Sequence, residues 1–197
     1  MAAVVVAVFA VGILMSGDRV DPSWLKFYSG AVLAATLLLA AWDRYLWRLP
    51  LAQKLRQVPR NLQGTWKGSL ESLWVDPSTE NVPPPKAVYL VVRQTVSKVS
   101  TVLLTDESRS VSSLGLVSTG EGPVALAYLY LNRPDIKHED RSRMHHGSAA
   151  LDVTGLPPTR LKGRYWTDRD TRGELDFTER RPGLAEDYDE AAKMFAS

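Results

Sequence analysis

The chain has 197 residues, 45% apolar and 23% charged, with a formal net charge of +2 and no cysteine. This is a globular composition, and it excludes disulfides, thiolate metal sites and cysteine nucleophiles together. Residues 1–61 carry seven Lys/Arg against three Asp, and 62–197 carry seventeen against nineteen acidic residues. With the two signs interspersed over the larger part, a groove for polymeric DNA or RNA is not expected.

Residues 2–15 are all apolar or Gly, and 27–42 carry no charge. The pattern predicts a two-helix transmembrane hairpin over 1–48, the second helix reaching back to Trp24 with Lys26 snorkelling. Trp24, Tyr28, Trp42, Tyr45 and Trp47 would form its interfacial belt. The first run is shorter than the ~20 residues a hydrocarbon core requires, so it inserts in a thinned bilayer or the chain starts upstream. A cleavable signal peptide is the competing reading, but the charged n-region it needs is missing.

Asp18, Arg19 and Asp21 lie between the runs, whereas Arg44, Arg48, Lys54, Arg56 and Arg60 follow the second with only Asp43 opposing them. Positive-inside bias places the basic juxtamembrane linker 49–61, everything beyond it and the N-terminus in the cytoplasm. The expected topology is thus a membrane crossed twice, with both ends in the cytoplasm. Gly30 and Ala34 offer a small-residue face for helix association.

Past Pro59 the periodicity shortens to alternating runs broken by turn residues, at 65–75, 86–95, 98–105, 110–118, 124–132, 145–153, 160–167 and 173–179. Eight such strands without intervening helices predict an antiparallel up-and-down, lipocalin-like β-barrel over 62–181. A short helix follows within 182–197, where Leu184, Tyr188, Ala191, Ala192 and Phe195 share one stripe that would pack on the barrel exterior or a neighbouring subunit.

Charges fix the facing where they mark the outside. Lys67 and Glu71 send Trp66, Gly68, Leu70, Ser72 and Trp74 inward, and Lys162 and Arg164 do so for Leu161, Gly163, Tyr165 and Thr167. Asp152 directs His145, Gly147, Ala149 and Leu151 inward, and Lys98 directs Thr101, Leu103 and Thr105. The second, fourth and fifth strands carry too little charge to decide, and Arg93, Tyr128 and Tyr130 are assigned inward without that support. The lining is rich in Gly, hydroxyls and imidazole. A buried polar group without a partner costs ~1–3 kcal/mol, so water or a polar ligand must satisfy it, unless some strands are out of register and these side chains face solvent.

At the mouth away from the first strand's start, Trp74, Tyr130, His145 and the turn 167–173 converge. Thr167 and Thr171 supply hydroxyls, Arg169 and Arg172 guanidiniums that bond phosphate, and aromatic rings can stack a base. An anionic nucleotide fits, although an ordinary turn held by its own ion pairs reads the same way. Gly64 and Trp66 with Arg180 or Arg181 resemble the lipocalin Gly-x-Trp and late Arg that close a barrel floor. Catalysis is not expected: His138, His145 and His146 lack metal-site spacing and the carboxylates form no evident pair, so no catalytic residue, metal or cofactor is assigned.

The two N-terminal runs, Gly64-Thr-Trp-Lys-Gly-Ser-Leu70, Arg93-Gln-Thr95, Leu129-Tyr130 before Asn132-Arg-Pro134, His146-Gly147 before Leu151, and Gly163-x-Tyr-Trp-Thr-Asp-Arg-x-Thr-x-Gly173 together resemble one family. It is the two-transmembrane β-barrel effector of bacterial cyclic-oligonucleotide anti-phage systems (CBASS), the SMODS-associated, β-strand-rich type. The resemblance covers essentially the whole chain, and its most specific part is 163–173. It implies a barrel that senses a cyclic dinucleotide made by a partner nucleotidyltransferase (CD-NTase), homo-oligomerises and, through its two helices, disrupts the lipid bilayer of the bacterial inner membrane, causing abortive infection. The rival expectation is a membrane-tethered carrier of a lipid or other small ligand.

Overall fold

The computed structural model describes residues 10, 22–75, 81–119, 122–138 and 143–196, with the backbone alone for 22–29 and 31. The chain divides into two compact units, Met1–Leu46 and Trp47–Ser197.

In the first unit α1 is Pro22–Arg44. Among the described residues no helix is long and apolar enough to cross a membrane. This corrects the expectation of two transmembrane helices and, with it, of a two-span inner-membrane location. The uncharged run, 27–42, falls short of the ~20 residues needed and stops at Asp43-Arg44. The expected first span, 2–15, lies outside the described residues apart from Ala10. Trp47, expected in an interfacial belt, is fully buried in the second unit.

There, the stretch leading to the barrel is stitched down by amide side chains. Gln53 Nε2 donates to the carbonyls of Trp47 and Pro59, at 2.9 and 3.1 Å, while its Oε1 accepts from Asn61 N–H. Gln94 accepts from Leu62 N–H at 2.8 Å and donates to the Arg60 carbonyl. Arg48 Nη2 donates to Gln63 Oε1 at 2.6 Å and to the Gln94 carbonyl. These bonds satisfy backbone groups that a loop across a closed barrel end would otherwise leave buried and unpaired.

The expected eight strands form: β1 Gly64–Ser72, β2 Lys86–Gln94, β3 Val99–Leu104, β4 Ser108–Val117, β5 Ala125–Pro134, β6 His145–Thr154, β7 Arg160–Thr167 and β8 Arg172–Arg181. Each pairs antiparallel with its neighbours in sequence, and β8 returns to β1, closing the barrel. Closure removes the unpaired edges an open sheet would expose. The short C-terminal helix is α2, Tyr188–Ala196. Its Tyr188, Ala191 and Phe195 cover Tyr89, Val91, Val102 and Leu104 on the outside of β2 and β3. That cover explains why β2 reads as an unbroken apolar run: Val88, Leu90 and Val92 face the interior while Tyr89 and Val91 are buried under the helix.

Candidate ligand-binding site

One end of the barrel is plugged by Leu62, Trp66, Leu126, Leu151, Leu161, Leu175 and Phe177, all essentially inaccessible. This is the floor. Toward the opposite mouth the interior becomes polar. On β5 the alternation sends Leu126, Tyr128, Tyr130 and Asn132 inward, leaving Ala127, Leu129 and Arg133 exposed. β7 contributes Tyr165 and β4 Ser110, while Thr101 of β3 lies deeper, opposite Val92, each of the three under 10% exposed.

Two glycines make room for the rings. Gly147 pairs with Tyr130 across β5 and β6, and a Cβ there would collide with the Tyr130 ring and stand 2.6 Å from the Trp166 carbonyl. Gly173 pairs with Tyr165, where a Cβ would lie 2.6 Å from ring atom Cε1. The tyrosines therefore lie over bare backbone rather than pointing across the lumen.

Burial pushes the Tyr128 phenol well above its usual range. It does the same to Tyr130, helped by the nearby Tyr165 and Asp168. Tyr165 is also raised by burial, against the opposing effect of its hydrogen bond with Ser72. All three remain neutral hydroxyls at physiological pH. Among the described residues Thr101 Oγ1 and Tyr128 Oη are buried with no hydrogen-bond partner. Each such group costs ~1–3 kcal/mol unless a ligand or water meets it.

At the rim, Ser110 Oγ donates to Asn132 Oδ1 at 2.9 Å. His145 Nδ1 lies 3.0 Å from the Arg143 carbonyl and 3.5 Å from Asn132 Nδ2. The β7–β8 turn is held by hydroxyl and backbone bonds. Thr167 Oγ1 and Thr171 Oγ1 are 2.6 Å apart, Arg169 N–H donates to Thr167 Oγ1, and His146 N–H donates to Asp168 Oδ2. Arg169 Nη1 reaches the Arg143 carbonyl at 3.0 Å. Beside the turn, Tyr165, Trp166, Arg164, Arg172, Glu71 and Glu174 line a cleft of about 400 Å³, within the size range of small-molecule sites. Tyr165 belongs to both the lining and this cleft.

Of the residues singled out from sequence, Tyr128, Tyr130 and Tyr165 line the interior, His145 stands at the rim, and Thr167, Arg169, Thr171 and Arg172 lie on or next to the β7–β8 turn. Two are elsewhere. Arg93 is exposed on the outer face of β2, near the floor. Trp74 follows the end of β1, 40% exposed, its N–H bonded to Ser72 Oγ. Gly64 opens β1, Trp66 plugs the floor and Arg180 lies over it. Ser110 and Asn132 were missed. The exposed charge of Arg133 is the signal that fixes Asn132, Tyr130 and Tyr128 on the inner face.

All of the polar lining falls within residues 57–179, which match the family model described as "Cap15, cyclic dinucleotide receptor domain". The chain belongs to this family. The Cap15 match covers β1 to most of β8, so the barrel is the receptor domain. The chain is also similar to CD-NTase-associated protein 15 of Staphylococcus schleiferi, 24% identical over 152 residues, which is 77% of this chain and 78% of that protein.

Proposed function

We infer that the protein is an effector of a CBASS-type antiviral system whose barrel mouth binds a cyclic dinucleotide made by a partner nucleotidyltransferase. The observation that carries this reading is the pair of unpartnered buried hydroxyls, Thr101 Oγ1 and Tyr128 Oη, inside a domain of the cyclic dinucleotide receptor family. The relative's name as a CD-NTase-associated protein supports the source of the ligand. Arg169 and Arg172 supply charge-assisted donors to the phosphodiesters. Tyr130 and Tyr165 supply faces on which bases stack. An acyl chain would leave the buried Thr101 and Tyr128 hydroxyls unsatisfied, which argues against a lipid carrier.

The same reading expects self-association. On the outside of the barrel Leu114, Leu129 and Ser148 form one cross-strand row, and Leu116, Ala127 and Ala150 the next. Leu114, Leu116 and Leu129 are each at least half exposed. The face of β7, β8 and β1, by contrast, is laced with ion pairs, Lys162–Glu174 and Lys67–Glu179 among them. A contiguous uncharged apolar face is a mark of protein contact.

Thermal denaturation of the full chain tests the receptor reading. A cyclic dinucleotide at about a hundred times its Kd should stabilise it by ~2.7 kcal/mol, and linear dinucleotides and fatty acids should do far less. Stabilisation by fatty acids alone would favour the carrier.

A further inference from the structure

At the floor end, away from the mouth, lies a second cavity of about 210 Å³. The stretch leading into β1 contributes Arg56 and Arg60 to it, and the β4–β5 connection contributes Ser118 and Thr119. Arg60 is half-buried and fixed: its Nη1 donates to the Gln53 carbonyl at 3.0 Å, and its own carbonyl accepts from Gln94. Gln53 is in turn bonded to Trp47, Pro59 and Asn61. The Arg60 guanidinium is therefore held in place with most of its N–H groups uncommitted. Arg56 is exposed, and none of the described hydrogen bonds or ion pairs involves its side chain. Ser118 Oγ accepts from Ala125 N–H at 2.7 Å and donates to the Pro123 carbonyl at 3.0 Å, which shapes the connection. The neighbouring Thr119 hydroxyl has no described partner and is free to turn to an occupant.

No carboxylate is among the described lining residues, and the sequence from Arg44 to Arg60 holds five basic residues and no acidic one. Leu55, Val58 and Val124 back the cavity with apolar surface, against which the two guanidiniums are less screened than in open water. An anion placed between them relieves that repulsion. Size and charge decide which anion. The cavity is smaller than the ~300–1,000 Å³ typical of drug-sized ligands, so a whole cyclic dinucleotide does not fit. A carboxylate can occupy one guanidinium, whereas a phosphomonoester brings nearly two charges and three acceptor oxygens, enough for both and for a hydroxyl. We propose that the floor cavity is a phosphomonoester site in which Arg56 and Arg60 bond the phosphate and Thr119 donates to it. A Cβ added at Gly122 would meet nothing within 4 Å, so the cavity stays open on that side to whatever carries the phosphate. The site lies at the opposite end of the barrel from the mouth and does not depend on the receptor reading.

The test is thermal denaturation of the full chain in inorganic phosphate, with sodium chloride of equal ionic strength as the control. Wild type should show a saturable rise in melting temperature with phosphate that chloride does not reproduce, and dimethyl phosphate, a monoanion, should act more weakly. Arg56→Gln, at an exposed position where folding should be kept, should weaken the phosphate response about tenfold or more, as for lost hydrogen bonds to a charged group. Thr119→Val should weaken it less. Stabilisation of both variants by a cyclic dinucleotide should match wild type. Competition with phosphate then identifies the carrier: displacement by a nucleoside monophosphate points to a soluble ligand, and displacement by vesicles containing phosphatidate, but not by phosphatidylcholine alone, points to a lipid headgroup. A phosphate response no greater than that of chloride, or one undiminished in Arg56→Gln, overturns the assignment and leaves the receptor reading intact.

Discussion

The guanidinium of Arg180 lies over the indole of Trp66, 5.3 Å from the ring centroid, on strands whose register sets the two residues opposite each other. Trp66 Nε1 donates to the Leu62 carbonyl at 2.8 Å, and Arg180 donates to the carbonyls of Gln63 and Asn61. One stacked pair thus closes the floor and ties down the stretch leading into β1. Trp66→Ala should destabilise the protein by about 3–5 kcal/mol, the usual cost of truncating a buried large aromatic. Arg180→Lys should also destabilise it, because an ammonium cannot reproduce the planar stack and the several N–H donors. Denaturant titration reads both, and an unchanged midpoint for Arg180→Lys would show that the floor is closed by apolar packing alone.

Gly147 is the second structural lever. Gly147→Ala must displace the Tyr130 ring or the Trp166 backbone, so a loss of about 1–3 kcal/mol is expected, as for other overpacked interiors. Ligand-induced stabilisation should fall with it. Gly122→Ala, where an added Cβ meets nothing within 4 Å, should stay within about 0.5 kcal/mol of wild type. Equal behaviour of the two variants would contradict the placement of Tyr130.

The barrel was legible because turn residues divide short alternating runs and because Lys67, Asp152, Lys162 and Arg164 label the outside of their strands. β2 was not, since its outer face lies beneath α2; with apolar residues on both sides, alternation carries no facing, and Arg93 was assigned inward although it is exposed. Trp74 was placed by extending β1 past Ser72, where the described strand ends. Ser110 and Asn132 look like surface residues in a sequence, because their burial is stabilised by a mutual hydrogen bond that only the β4–β5 register reveals. The N-terminal expectation failed at Trp47 for a related reason: an aromatic at the end of an apolar run reads as an interfacial anchor, yet its carbonyl accepts from Gln53 and its ring is buried.

Asp176 gives a pH signature. Its carboxylate accepts two hydrogen bonds from Arg160, at 2.8 and 2.5 Å. That pairing, opposed by partial desolvation and aided by the Arg160 and Lys162 charges, holds its pKa below the usual carboxylate range. A lowered folded-state pKa means stability that is present above the unfolded value, near ~3.9, and lost as pH falls through the folded one. Asp176→Asn should therefore be less stable than wild type at neutral pH, with the difference shrinking below about pH 4. A difference that stays constant into strong acid would contradict the pairing.

The uncharged apolar rows at the centre of the outer face of β4, β5 and β6 predict a change in assembly. Leu129→Asp places a charge at the centre of the Leu114–Leu129–Ser148 row, on an exposed position where folding should tolerate it. Sedimentation of the full chain with saturating ligand should show wild type shifting to larger species and the variant remaining small. The same shift in both would place self-association on another surface.

The central claim, that the barrel mouth is a cyclic dinucleotide receptor, is tested most directly by isothermal titration of the full chain with cyclic dinucleotides, comparing wild type with Arg169→Ala. Arg169 is exposed and its guanidinium is fixed only through the Arg143 carbonyl among the hydrogen bonds described, so the variant should keep its melting temperature. The account predicts saturable binding of one ligand per barrel by wild type and an affinity reduced about tenfold or more in the variant, as for a lost charge-assisted hydrogen bond. Binding by the variant at full wild-type strength, or no heat from any cyclic dinucleotide with wild type, would contradict it.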